Sequence, residues 1–195
     1  MRESEIMRKT KETDVTVSLN LDGKGKSEID TSIGFFNHML TLLSFHSSID
    51  MTVKCKGDTD VDYHHSVEDT AITLGEAVRN ALGEKRGIRR YGSFRLPMDE
   101  ALVEVSLEIS GRGTLVFNCP FPTEKIGDFD TELVEEFFSS FVRNAFLTLH
   151  IDLLRGKNSH HIAEAVFKCF AHALKIAVER DELTSDSIPS SKGAL

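Results

Sequence analysis

Cysteine is scarce in this chain: Cys55, Cys119 and Cys169 are the only three, far apart and in no CxxC pair. An odd, scattered set speaks against a disulfide framework or a zinc finger and for buried free thiols. Positive charge is in deficit, with 23 Lys+Arg against 31 Asp+Glu and a pI of about 5.5. No basic stripe is visible, which counts against nucleic acid as a partner. Long apolar runs are missing as well. Nothing approaches ~18 consecutive apolar residues, so no membrane partner is expected. The opening stretch MRESEIMRKTKETD has no apolar segment, and the chain reads as cytoplasmic. A hydrophobic content of 40% in 195 residues suits one sizeable core or two fused halves.

What is present comes twice. DVTVSLNL alternates Val15, Val17, Leu19 and Leu21 with polar neighbours, as a half-buried strand does. DGKG (22–25) marks a turn before a short strand near Ile29 and Ile33. A helix-like stretch (34–47), the alternating strand IDMTVKCKG and an Asp-rich loop follow, and a helix runs from the first His pair to about Leu82. The second half repeats the order: strands at 101–110 and 114–118, an amphipathic helix at 131–145, the strand FLTLHIDLLRG, and a helix from the second His pair to about Val178. The expected fold is α+β, an internal duplication in which each half is a mixed β-sheet with helices packed on one face. The pseudo-repeats span about 8–90 and 91–182, with GEKRGIRRYG (83–92) as connector and a C-terminal tail at 183–195.

The pattern His-His-x-x-Glu occurs at His64, His65 and Glu68, and again at His160, His161 and Glu164. Random placement would produce it roughly 0.03 times per chain, so two copies need a cause. On a helix the Glu lies one turn from both histidines, while the two adjacent rings splay by about 100°. One motif is therefore better suited to serve two ions than to saturate one, and two motifs meeting could complete two sites. Imidazole and carboxylate donors without thiolate suit Mn, Fe or Zn. Sliding FFNHML onto LVEEFF sets Glu136 opposite His38, which marks both as further ligand candidates. His46, His150 and His172 are read as structural.

Together, GFFNHML, YHHSVEDTAITLGEA, PMDEAL, LTLH and GKNSHHIAEAVFKCFAHAL resemble the imidazoleglycerol-phosphate dehydratase family, from KET to SSKGAL. The resemblance implies dehydration of imidazole glycerol phosphate to imidazole acetol phosphate in histidine biosynthesis. It further implies two manganese ions per active site and a homo-oligomeric 24-mer whose active sites are shared between subunits. Some bacterial members carry a fused phosphatase domain; this chain has no room for one and reads as monofunctional. By matching motif, the metal ligands are His38, His64, His65, Glu68, His160, His161 and Glu164. An eighth family ligand is a histidine commonly found within EHFF; here the text is EEFF, and Glu136 takes its place. A second departure is Tyr63, where the family often has Asp. Arg90, Arg112, Ser190 and Lys192 match the residues that bind the substrate's phosphate, which gives the tail a substrate-ordered role. Glu12 and Asp99 match residues near the glycerol hydroxyls.

The proton to be lost is not next to a carbonyl, so the imidazole ring must relay the electrons. A metal-bound imidazolate expelling the adjacent hydroxyl, through a diazafulvene, is the expected route, with Glu12 and Glu164 as proton carriers and Asp99 orienting the hydroxyl. A dinuclear metallohydrolase of phosphate esters and a non-catalytic metal-binding protein are the alternatives. The first would usually show Asp-rich motifs, and the second would not need Arg90, Arg112 and a Ser/Lys tail.

Overall fold

The computed structural model describes residues 2–181 and 187–195. The first half runs β1 (Glu3–Lys9), β2 (Thr13–Asn20), β3 (Ser27–Asp30), α1 (Gly34–Ser47), β4 (Asp50–Gly57) and α2 (His64–Leu82). The second runs β5 (Tyr91–Met98), β6 (Ala101–Glu108), β7 (Thr114–Asn118), a small hairpin of β8 (Lys125–Ile126) and β9 (Phe129–Asp130), α3 (Glu132–Ala145), β10 (Thr148–Arg155) and α4 (Ser159–Val178). The two four-stranded sheets share one strand order, β1-β2-β4-β3 and β5-β6-β10-β7. In each, only the last joint is parallel, so both are mixed sheets and the fold is α+β as the repeat pattern indicates. Even the register repeats: Ser27 pairs with Met51 as Leu115 pairs with Leu149.

Alternate side chains of β2 and β4 (Val15, Val17 and Leu19; Met51, Val53 and Cys55) are buried. They face the helices: α2 lies on β1 and β2, and α4 on β5 and β6. Between the sheets the halves cross over, α1 packing on α4 and α3 on α2. Six fully buried phenylalanines, Phe36, Phe137, Phe138, Phe141, Phe167 and Phe170, fill this helical layer. Where Phe137 and Phe138 of α3 meet Phe167 and Phe170 of α4, the rings lie at tilted or edge-on angles about 5 Å apart, a favoured geometry of aromatic pairs. Two glycines permit the closest approaches. A Cβ on Gly75 would sit 2.6 Å from the Phe141 carbonyl oxygen in α3, and one on Gly92 would sit 1.9 Å from that of Ala173 in α4.

Three local expectations need correction. The sequence reading has no strand at 3–9, and it treats 83–92 as connector where β5 already begins at Tyr91. Both are edge strands with a single neighbour, and edges tolerate polar or irregular sequence (Gly92 and Pro97 in β5), so alternation is weakly written there. Ile33 is the N-cap of α1 rather than part of a strand. All three cysteines are buried free thiols. Among the described residues no helix is long and apolar enough to cross a membrane. Of the tail at 183–195, residues 183–186 lie outside the described residues; Ser187–Leu195 has neither helix nor strand.

Candidate metal centre and substrate site

The packing of α1 on α4 brings His38 to the second His motif. His38 Nε2 lies 2.8 Å from Glu164 Oε1, and His160 Nε2 lies 3.2 Å from the same oxygen. The donor atoms of the three residues fall within 4.8 Å of one another, spacing that suits one ion. The local sequence sets this up. Asn158 caps α4, its side chain accepting from His160 N and His161 N, so the pair sits in the first turn. Glu164, one turn on, is buried, and Lys168 Nζ donates to its Oε2 at 2.5 Å. Burial alone would push this carboxyl up. The hydrogen bonds from Lys168, His38 and His160 outweigh that and hold it down at about 2. Two ring nitrogens and an ionised carboxylate, with no thiolate nearby, form a donor set that fits Mn, Fe or Zn. Beside it, Tyr63, Phe35, Phe129 and His160 line a cavity of about 380 Å³.

The other histidine of each pair points elsewhere. Ring centroids within the pairs are 6.4 Å apart and the rings nearly perpendicular, 87° for His64 and His65 and 84° for His160 and His161. His65 Nδ1 is 3.0 Å from Asp58 Oδ2, and His161 Nδ1 is 2.7 Å from Glu100 Oε2. These carboxylates hold the proton on Nδ1 and leave Nε2 as the donor for a metal, the usual outer partnership of a ligating histidine. Each raises the pKa of its histidine, and the His161 bond comes first in bringing Glu100 down to about 2. The free Nε2 atoms face the two residues assigned to the substrate's hydroxyls: Glu12 lies 3.9 Å from that of His65, and Asp99 lies 3.7 Å from that of His161.

The first His motif does not close a matching trio. By the repeat its members would be Glu136, His64 and Glu68, and no such cluster forms among the described residues. Glu136 Oε1 accepts from Ser140 Oγ at 2.7 Å instead. In the second motif a histidine donates to the glutamate and Lys168 neutralises it. Here the histidine is replaced by a carboxylate, Glu136, and Ile72 stands where Lys168 would, so the corresponding positions lack both the histidine and the ammonium that hold Glu164 in the second trio.

The proposed phosphate residues gather at the other end of α4. The Arg90 backbone N–H donates to the Ala177 carbonyl at 2.9 Å. Its guanidinium donates to the carbonyl of Pro189 in the tail at 2.7 Å and to Glu108 at 2.6 Å. The chain end, Leu195, lies against Gly111, next to Arg112. Arg112 and Lys192 are exposed; Ser190 Oγ accepts from the Lys192 backbone. His160 and Ala177 lie at opposite ends of α4, roughly 25 Å apart at the rise of an α-helix.

A family model described as "Imidazoleglycerol-phosphate dehydratase" matches residues 31–174, from just after β3 to the last turns of α4. The chain belongs to that family. Its dehydratase relatives from Cereibacter sphaeroides and Roseobacter denitrificans are each 58% identical to it, over the whole length of both chains. Two crystal structures of imidazoleglycerol-phosphate dehydratase are similar in fold. The Staphylococcus aureus enzyme is 44% identical with a TM-score of 0.83, covering 91% of this chain and 99% of its own. The Pyrococcus furiosus enzyme is 36% identical with a TM-score of 0.84, covering 97% and 100%. The activity is thus that of a hydro-lyase acting on imidazoleglycerol phosphate, and the trio of His38, His160 and Glu164 is a candidate centre for a known dehydration.

Sequence reasoning passed over Asp58, Glu100 and Lys168. A signal existed for one of them. The cross-strand pair Lys9–Asp14 matches Pro97–Leu102, which sets Glu100 in the β5–β6 turn where Glu12 stands in the β1–β2 turn. His46 and His172, read as structural, contact each other with ring centroids 5.2 Å apart, and Phe94 stacks on His172 at 4.4 Å.

Proposed function

We propose that the dehydration takes place at two manganese ions per active site, in a site completed by more than one copy of the chain. The observation that carries this is the separation along α4. Imidazole and phosphate belong to one small substrate, yet the His38–His160–Glu164 trio and the Arg90 end are too far apart within one chain to hold both. A second copy must supply one of the two ends. The second ion falls to the remaining ligands (His64, His65, Glu68, Glu136 and His161), distributed across the same interface. A shell of 24 copies is the assembly this reading favours, working in the cytoplasm in histidine biosynthesis.

The metals, when bound, supply Lewis acidity to the substrate's imidazole ring. The chain's own residues do the rest. Arg90, Arg112, Ser190 and Lys192 offer cations, a hydroxyl and N–H donors to the phosphate. Asp99, in the β5–β6 turn, orients a glycerol hydroxyl. Glu12 is the better proton carrier: its carboxylate is half exposed and only 3.9 Å from His65 Nε2. Glu164 is already committed to Lys168 and two histidines. The direct test is incubation with imidazole glycerol phosphate and Mn(II), looking for the ketone product. Release of free phosphate, or no reaction, would overturn the reading.

Two further outcomes are expected. Removing the last six residues, SSKGAL, takes Ser190 and Lys192 away from the phosphate, remote from the bond that breaks. KM should rise about 10- to 100-fold with a smaller change in kcat; parental kinetics would deny the tail its role. Glu136→Ala should lower bound metal towards about half and cut activity, whereas Glu136→His should keep both ions. Parental metal content in the Ala variant would remove Glu136 from the ligand set.

A further inference from the structure

Next to Glu68 on α2 lies a carboxylate that takes no part in the proposed reaction. Asp69 is only 5% exposed. Its Oδ1 accepts from Arg8 Nε in β1 at 2.8 Å, and its Oδ2 accepts from Thr13 Oγ1 at 2.5 Å and, more distantly, from Thr10 Oγ1 at 3.5 Å. Thr10 Oγ1 in turn accepts from the backbone N–H groups of Glu12 at 3.1 Å and Thr13 at 3.0 Å. The four-residue turn that carries Glu12 is therefore tied to α2 through its backbone, in the same turn of helix that carries the first His motif. The Glu12 carboxylate itself stays out of the network.

The duplicated fold contains its own control. By cross-strand register and by position after the His pair, Arg8, Thr10, Thr13 and Asp69 correspond to Leu96, Met98, Ala101 and Ala165. All four polar members become apolar together, and Ala101 and Ala165 are fully buried. There the turn is held in another way. The carboxylate of Glu100 accepts from the backbone N–H groups of Lys157 at 3.1 Å and Asn158 at 2.8 Å and lies 2.7 Å from His161 Nδ1. A carboxylate used as the fastener cannot also carry a proton to and from a substrate. A turn fastened by its backbone leaves the carboxylate free.

Resting on the reading of Glu12 as proton carrier, we infer that Asp69 is a positioning residue that aims Glu12 by clamping its turn. The clamp is what makes one of two equivalent glutamates reactive and leaves the other structural. A displacement of about 1 Å in a reacting group costs on the order of 100-fold in rate.

The test copies the second half's packing into the first, as R8L/T10M/T13A/D69A, with Asp69→Asn beside it as the milder change that keeps an acceptor oxygen. The fourfold variant is built from a set of residues that already packs in this fold, which guards against simple unfolding. It is expected to keep its thermal midpoint, its bound Mn(II) and a KM within about twofold while kcat falls about 100-fold, with Asp69→Asn in between. In a Glu12→Gln background the same changes should produce no further loss, because their target is already gone. Multiplicative losses in that background, or a loss explained by metal release or KM, would overturn the clamp while leaving Glu12 in place. Parental kcat in Glu12→Gln alone would instead remove the proton-carrier reading on which the inference stands.

Discussion

Two variants, each inactive alone, are expected to regain activity when they assemble together. His160→Ala removes a donor from the trio, and Arg90→Ala removes the guanidinium at the far end of α4. If one copy supplies the metal end and another the phosphate end, a random mixture restores about a quarter of the sites, each built from one intact half of either variant. Co-expression of the two, followed by purification of the mixed assembly and assay for the ketone, measures this directly. A mixed assembly without recovered activity would mean that the two groups do not come to one site from different copies. The shared-site reading would then have to be abandoned.

Glu164→Ala should bring the second large effect. Its carboxylate is the one group that joins both histidines of the trio to Lys168, so its loss removes a donor from the candidate ion and leaves a largely buried ammonium unpaired. A fall of about 1,000-fold or more in kcat/KM, with reduced metal content, is expected. The metal-free protein offers a readout independent of activity. The carboxyl titrates near 2 when folded, well below the ordinary 4.5, so folding favours its ionised form. The resulting stability is fully present above about pH 4.5 and is lost as pH falls towards 2. Urea unfolding of the parent and of Glu164→Gln should therefore differ most above pH 4.5 and converge below it. A gap undiminished at pH 2.5 would mean that the charged contacts of Glu164 contribute nothing.

Much of the architecture could be read before any coordinates. The duplication, the four helices, the inner strands of both sheets and the two His motifs depend on periodicities of two and 3.6 residues and on short spacings, all local properties of the chain. The splay of the two histidines within each pair follows from the roughly 100° that an α-helix turns per residue. The edge strands β1 and β5 were not legible, because a strand with one neighbour and a half-exposed face needs no clean alternation.

What only the tertiary structure decided is who meets whom. His38 reaches Glu164 because the phenylalanine-filled layer packs α1 across the halves onto α4, a contact between residues 126 positions apart. Glu136 holds the equivalent place on α3 but its carboxylate accepts from Ser140 Oγ on its own helix, so the repeat that predicts its position does not predict its contact. Asp58, Glu100 and Asp69 look like ordinary surface acids in the text. They acquire roles by lying against particular ring nitrogens and turn residues, which the chain brings together only when both sheets close over the helices.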